Sequence, residues 1–243
     1  MHTKFLQIIF LSTLLCSSTN ALQAQPKTPD PAMVELKVFR NALSINDLGT
    51  AIQSLHYIIA ADSVKYGNYE DTLAILYTQI NAFSPAYILS NRLLAQKGYT
   101  EIRMQIKGLA AKNLNEPIEA INAYSDLFSR TNNPVYGMEQ LQLEYSIRRL
   151  AESVATGNKV LAAIPANDST QVRMAKLQDK SMQLVSLRAA VHNVLGLAYL
   201  DLKDKKSAVS NFEEALKEAP DFDQAKNNLA VANALSADTT KQN

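Results

Sequence analysis

The stretch "LGLAYLDLKDKKSAVSNFEEALKEAP", residues 195–220, decides the fold of this chain. Its apolar residues recur three and four positions apart, as they do on one face of a helix, and a charged segment interrupts them near the middle. The pattern predicts two amphipathic helices joined by a short turn. Gly196 and Ala208 are small enough to let the two helices cross closely, and Tyr199 and Phe212 would fill the space beside that crossing.

The composition of the whole chain favours the same kind of structure. It contains 243 residues, of which 47% are hydrophobic and only seven are glycine and eight proline. A chain of this length and composition can bury a sizeable core. Period-two alternation, the mark of exposed strands, is scarce, so we predict an all-α fold.

The spacing in the opening stretch resembles the tetratricopeptide repeat (TPR), a 34-residue unit of two helices and a turn. With Ala189 at position 1, only His192 departs from the family pattern, where tryptophan is common. The matching residues are Leu195, Gly196, Tyr199, Ala208, Phe212, Ala215 and Pro220. Leu229 and Ala230 follow Leu195 and Gly196 by one period, which predicts a capping helix over 222–236.

Weaker copies of the pattern precede this repeat. In residues 101–134, four residues keep the family spacing, namely Gly108, Ala120, Tyr124 and Leu127. Residues 135–167 give a looser helix pair, with Leu141 and Tyr145 at the usual first-helix positions. The resemblance therefore implies a TPR-type α-solenoid over 32–237, with repeats at 32–65, 67–100, 101–134, 135–167 and 189–222, after a linker at 25–31 and before a tail at 238–243.

An insertion at 168–186 breaks the 34-residue period. It fits two structures: a helix running into Ala189, or a small β-hairpin in which Val172 and Met174 face Met182 and Leu184. Loops inserted in solenoids often carry binding residues.

The first residues have the layout of a secretory signal peptide. Residues 1–24 begin with His2 and Lys4, continue with an apolar run of about eleven residues that is too short to span a bilayer, and end in small and polar residues. Cleavage after Ala24 would yield an exported protein that contains no cysteine. Alternatively, Cys16 is a lipid-bearing cysteine. We therefore expect a periplasmic or outer-membrane-associated bacterial protein.

The sequence contains no recognisable catalytic constellation. His56 has no carboxylate or second histidine at ligand spacing, and His192 occupies a packing position of the repeat. No phosphate-binding glycine-rich loop or nucleophile elbow is present. Residues 1–24 hold one lysine and no acidic residue, so the rest of the chain has balanced charge, which argues against nucleic acid and anionic membrane surfaces as partners. We expect no enzyme activity, metal or cofactor.

The resemblance implies that the first helix of each repeat lines a surface for a protein or peptide partner. Its inward positions carry a mixture of amide and aliphatic side chains. The predicted partner-binding residues are Asn193, Leu197, Leu200, Gln224, Asn227, Val231, Gln105 and Leu109, with Ala190, Ile102, Lys112 and Ala234 beside them. The charges with which one TPR subtype grips a C-terminal carboxylate are missing at Asn193 and Leu197. The predicted function is a scaffold or adaptor in the cell envelope, or alternatively a structural subunit of an outer-membrane or secretion assembly; the sequence leaves the oligomeric state open.

Overall fold

A computed structural model describes residues 30–177 and 179–239 of the chain. Those residues form twelve helices and one two-stranded sheet. In order, the elements are α1 (Pro31–Ser44), α2 (Leu48–Ala61), α3 (Ser63–Tyr66), α4 (Tyr69–Gln79), α5 (Phe83–Lys97), α6 (Glu101–Asn113), α7 (Pro117–Thr131), α8 (Pro134–Ser146), α9 (Leu150–Ala163), β1 (Gln171–Ala175), β2 (Met182–Ser186), α10 (Leu187–Asp201), α11 (Lys205–Glu218) and α12 (Asp223–Thr239). The predicted helical solenoid with a small hairpin is confirmed.

Some predictions concern the ends of the chain. The predicted signal peptide at 1–24 and most of the linker at 25–31 lie outside the described residues. At the other end, α12 continues to Thr239, past the predicted start of the tail at 238. No helix within 30–177 and 179–239 combines the length and the apolar character needed to cross a membrane.

One residue in the turn of each helix pair adopts a left-handed backbone conformation. Its φ lies between 58° and 67°, and the second helix begins two residues later in every pair. Asparagine accepts this conformation more readily than most residues, which explains its presence in three of the five turns. The five residues are Asn46, Asn81, Asn115, Arg148 and Lys203.

These turns show where each repeat begins. Lys203 is position 15 of the repeat at 189–222, and the same position elsewhere places the first residues at 32, 67, 101 and 134. The predicted start at 135 is therefore one residue late, because the loose pattern placed Leu141 at position 7 of the repeat. Leu141 then lies at position 8, where the other repeats with a close helix crossing have Gly or Ala. Gly157 lies at position 24, which Tyr124 occupies in the third repeat and Phe212 in the last.

Close helix crossing depends most clearly on Gly196. A Cβ atom added there would lie 2.4 Å from Cε1 of Phe212, whose ring is fully buried. Ala208 and Ala215 are also fully buried, whereas Tyr199 is half-buried and Pro220 is exposed. In the third repeat, Gly108, Ala120 and Tyr124 are buried in the equivalent places.

The inserted residues form a hairpin rather than a helix. Val172 pairs with Val185, and Arg173 pairs with Leu184. The predicted facing of Val172 and Met174 with Met182 and Leu184 is therefore wrong by one residue. Because a one-residue slip moves every side chain to the other face, the core position of Val185 determines this register. Met182 and Leu184 are instead exposed on the outer face.

The hairpin holds the first turn of α12 in place. Gln183 accepts a hydrogen bond from the backbone N–H of Asp223 at 3.2 Å and donates one to the carbonyl oxygen of Asp221 at 2.6 Å. The carboxylate of Asp223 accepts from the N–H of Leu177 at 2.7 Å. The insertion is thus a fixed part of the C-terminal end of the array.

Candidate binding surface on the first helices

The first helix α6 and its neighbour α8 carry an exposed stretch that contains apolar side chains. Ile102 and Leu109 on α6 are 44% and 40% exposed. Gln105 is half-buried between them, and Lys112 follows one turn after Leu109. We call these four residues, together with Glu139 on α8, the first-helix surface.

Polar contacts fix the spacing between α6 and α8. Lys112 Nζ lies 2.5 Å from Glu139 Oε2, and the Tyr136 hydroxyl donates to Glu101 Oε1 at 2.7 Å. The side-chain amide of Gln105 also contacts the Tyr136 hydroxyl. Burial and, after it, the hydrogen bond to Glu101 raise the pKa of Tyr136, so this hydroxyl stays protonated as a donor at neutral pH. Ile102 and Leu109 are therefore exposed on a helix, α6, that polar contacts hold in place against α8.

The predicted residues on α10 lie in a different environment. Asn193 is fully buried; its side-chain oxygen accepts from Asn228 Nδ2 at 2.9 Å, and its nitrogen donates to Gln224 Oε1 at 3.5 Å. Gln224 in turn donates to the carbonyl oxygen of Ala175 in the hairpin at 2.7 Å. Ala190 is also fully buried. Asn193 and Gln224 thus join α10, α12 and the hairpin, and Asn193 does not face solvent.

The remaining predicted positions divide into two groups. Leu197 and Leu200 are half-buried and pack against the cluster that contains Phe212 and Ala232. Asn227 and Val231 are exposed on α12. The structure therefore brings Gln105 and Leu109 together on one open surface, and leaves Asn227 and Val231 as a separate patch at the C-terminal end.

The two described histidines have ordinary local partners. Nε2 of His56 lies 2.6 Å from the Tyr77 hydroxyl, and Nδ1 of His192 lies 3.0 Å from Asn211 Oδ1. Across the described ranges, no group of three or more His, Cys, Asp or Glu residues is placed to hold a metal ion.

The sequence analysis did not predict two buried polar arrangements, one between helices and one within α8. Arg103 forms a bidentate ion pair with Asp71 at 2.6 and 2.7 Å and donates to the carbonyl oxygen of Gly98 at 2.9 Å, which ties α4 to α6. In the fourth repeat, Glu144 is buried beside Gln140. Arg103 and Glu144 each occupy a helix position at which other repeats carry an apolar residue. A polar residue at such a position is the sequence feature that could have indicated these contacts.

Comparisons with known proteins agree with the fold. A family model for the tetratricopeptide repeat matches residues 189–222. The crystal structure of the TPR protein YrrB, described as having an unusual peptide-binding site, superposes with a TM-score of 0.62 at 14% identity, over 81% of this chain and 90% of that one. The crystal structure of MamA superposes with a TM-score of 0.59 at 15% identity, over 77% of this chain and 91% of that one. No curated protein sequence matches the chain. The chain therefore contains one tetratricopeptide repeat at 189–222 and shares the TPR-type α-solenoid fold of these structures.

Proposed function

We propose that this protein is a non-catalytic scaffold that binds a peptide or protein segment on the first-helix surface. The observation that carries the proposal is the exposure of Ile102 and Leu109 on a braced helix whose opposite side is packed against α5 and α7. Exposed apolar side chains on a rigid support are the usual anchors for a partner helix or strand. YrrB, which has the same fold, is described as having a peptide-binding site, which supports this reading.

The chemistry of the surface favours a neutral, partly apolar ligand. The charge of Lys112 is balanced by Glu139, and Gln105 offers an amide rather than a charge. A partner segment with aliphatic side chains one or two helical turns apart would cover Ile102 and Leu109, with polar groups meeting Gln105. Strongly charged segments would gain little from this surface and would lose hydration.

The test is substitution on the surface with a matched control elsewhere. Ile102→Glu and Leu109→Glu place a charge in the proposed contact, whereas Ile118→Glu changes a residue that is 45% exposed on the second helix α7. We expect the first two variants to lose at least tenfold in affinity for a partner isolated from an envelope fraction, and Ile118→Glu to bind as the wild type does. Equal binding by all three variants would exclude this surface.

We propose further that the protein is exported and acts in the bacterial cell envelope. The support is the signal-like layout of residues 1–24. Mass spectrometry of the protein isolated from cells tests it. A mature chain that begins at Gln25 indicates a released protein, and a lipid on Cys16 indicates a membrane anchor. An intact segment from Met1 in a cytosolic fraction would contradict export.

A structural role in a larger assembly is a second candidate, supported by the N-terminal end of the array. Val34 and Val38 on α1 are 47% and 39% exposed and occupy positions 3 and 7 of their repeat. In the first helices from α6 onward, the residue at position 3 is buried in every case. These residues are Arg103, Tyr136, Val191 and Ala225. In those repeats, each first helix packs against the second helix of the preceding repeat or the turn that follows that helix. No preceding repeat covers α1 within the described residues, so the partner that fits its exposed side is an amphipathic helix of another protein in the assembly.

This second role predicts a change of assembly size. The double variant Val34→Glu, Val38→Glu should run as a smaller complex than the wild type on native gels of solubilised envelope, whereas Leu109→Glu should not change the size. An unchanged complex in the double variant would remove the N-terminal end from consideration.

A further inference from the structure

A polar cleft between α7, α8 and α9 lies away from the first-helix surface and plays no part in the function proposed above. Its volume is about 310 Å³. Six of its seven lining residues are polar. The principal lining residues are Ser125, Phe128, Asn132, Gln140, Thr156 and Lys159.

A buried network orients the floor of this cleft. Gln140 Nε2 donates to Glu144 Oε1 at 2.7 Å and to Thr156 Oγ1 at 3.3 Å. A carboxylate only accepts hydrogen bonds, so Gln140 must turn its amide nitrogen towards Glu144, and its carbonyl oxygen takes part in no hydrogen bond among residues 30–177 and 179–239. Thr156 accepts from Gln140 and therefore has its own O–H to donate. The floor presents one acceptor and one donor with fixed positions.

Glu144 orients Gln140, but burying its carboxylate costs folding free energy. It is 3% exposed, and its Oε2 has no hydrogen-bond partner within the described part of the chain. The buried Ser153 hydroxyl lacks a partner there as well. A buried carboxylate without a cation is destabilising by several kcal/mol in general. At the equivalent positions the last repeat has Tyr199 and Ala208, so packing alone does not require these polar groups.

The walls of the cleft complete a site for an anion. Lys159 is exposed at the cleft and forms no ion pair with any residue of 30–177 or 179–239. Asn132 and Ser125 add neutral donors, and no carboxylate is among the lining residues. The ring of Phe128 supplies an apolar wall. Cationic and neutral donors beside a fixed carbonyl oxygen suit a ligand that carries a carboxylate next to an N–H group.

We propose that this cleft binds a carboxylate adjacent to a secondary amide, the group present at a peptide C-terminus and in an N-acylated amino acid. The carboxylate lies against Lys159 and Asn132. The amide N–H donates to the Gln140 carbonyl oxygen, and an aliphatic side chain of the ligand packs on Phe128. Glu144 is a positioning residue that acts through Gln140.

The first test titrates the full chain with N-acetylleucine and with N-acetylleucinamide, followed by NMR of the backbone amides. We expect saturable shifts at the cleft residues and at least tenfold tighter binding of the acid. Lys159→Ala should abolish that difference, whereas Lys37→Ala, a change at an exposed lysine on α1, should preserve it. Equal binding of acid and amide by the wild type, or an undiminished difference in Lys159→Ala, would overturn the proposal.

The second test isolates the role of Gln140 and Glu144. The ester analogue of N-acetylleucine, in which oxygen replaces the amide N–H, cannot donate to Gln140. We expect the wild type to prefer the amide-containing acid over this ester by about fivefold to tenfold, as for one hydrogen bond to a buried acceptor. Gln140→Leu and Glu144→Met should lose this preference while they keep the preference for acid over N-acetylleucinamide. A preference that survives in both variants would refute the assigned positioning role.

A third arm distinguishes the source of the ligand. Tighter binding of a pentapeptide with a free C-terminal leucine than of N-acetylleucine would identify a peptide terminus, and equal binding would identify the small molecule. Both results support the proposed chemistry. Failure of binding in all arms removes the cleft as a site and leaves the first-helix surface unaffected, since Ile102 and Leu109 are not part of it.

Discussion

Replacing Gly196 by alanine tests the helix crossing on which the last repeat depends. The new Cβ would lie 2.4, 2.6 and 2.8 Å from Cε1, Cδ1 and Cζ of Phe212. The ring is fully buried, so it cannot move into solvent to relieve the contact. Alanine in a helix is favoured over glycine by about 1 kcal/mol. Overpacking a core typically costs about 1–3 kcal/mol, and contacts this short belong at the upper end.

The net expectation is a loss of about 2 kcal/mol in the free energy of unfolding, or a fall of about 4–8 °C in Tm for a chain of this length. Gly108→Ala is the matched control, because it lies at the same repeat position and its Cβ would come no closer than 3.3 Å to Ala123 and Tyr124. We expect its Tm to stay within about 3 °C of the wild type. Far-UV circular dichroism during heating measures both variants.

The double variant Gly196→Ala, Phe212→Leu adds an internal check. A smaller side chain at 212 leaves room for the new methyl group, so the two changes together should destabilise less than the sum of the single changes. The reasoning about the crossing would be refuted by a Gly196→Ala variant as stable as the wild type, or by an equal loss of stability in Gly108→Ala.

Four further predictions concern contacts between elements and the backbone of one turn. Arg103→Ala should lower the free energy of unfolding by about 2 kcal/mol, since it leaves the partly buried Asp71 without its cation. The hydrogen bonds from Arg103 hold the pKa of Asp71 below its ordinary value. The pair therefore stabilises the fold fully above the unfolded-state pKa of about 3.9, and this stabilisation is lost as the pH falls through the lower folded-state pKa. In thermal melts between pH 6 and pH 2, the Tm of Asp71→Asn should therefore fall less with decreasing pH than the Tm of the wild type. Gln183→Ala removes both hydrogen bonds to the turn before α12, and hydrogen exchange should accelerate at 222–226 while it stays unchanged in α6. Lys203→Gly relieves a left-handed backbone at φ 67° and should raise stability by about 0.5–1 kcal/mol, which chemical denaturation can measure; no gain would contradict the backbone argument.

The sequence allowed prediction of the parts of the fold that depend on repeated spacing. Gly196 lies on α10, and Ala208 and Phe212 lie one turn apart on α11, a spacing that close helix packing explains; the structure buries all three. The weak fourth repeat was placed one residue late, because Leu141 and Gly157 exchange the usual small and large residues. The spacing of apolar residues cannot detect such an exchange, since it does not indicate which of two packing positions carries the larger side chain.

The candidate site was less predictable for a physical reason. Family positions indicate which side of a helix faces inward, but not what later folds over it. Asn193 occupies such a position and is nevertheless buried, because α12 and the hairpin cover it. The hairpin register likewise depended on where Val185 enters the core, which alternation alone left undecided. The pair of Arg103 and Asp71 joins residues 32 positions apart, so the arginine at an apolar repeat position could be noticed but its partner could not be identified from the sequence.

Hydrogen exchange on the complex with its bound partner tests the central claim most directly. If the partner lies on the first-helix surface, backbone amides of α6 and α8 should slow on binding, while those of the second helices α7 and α9 should not change. Slowing confined to α1, to the hairpin at 171–186 or to α7 and α9, with α6 and α8 unaffected, would contradict the account.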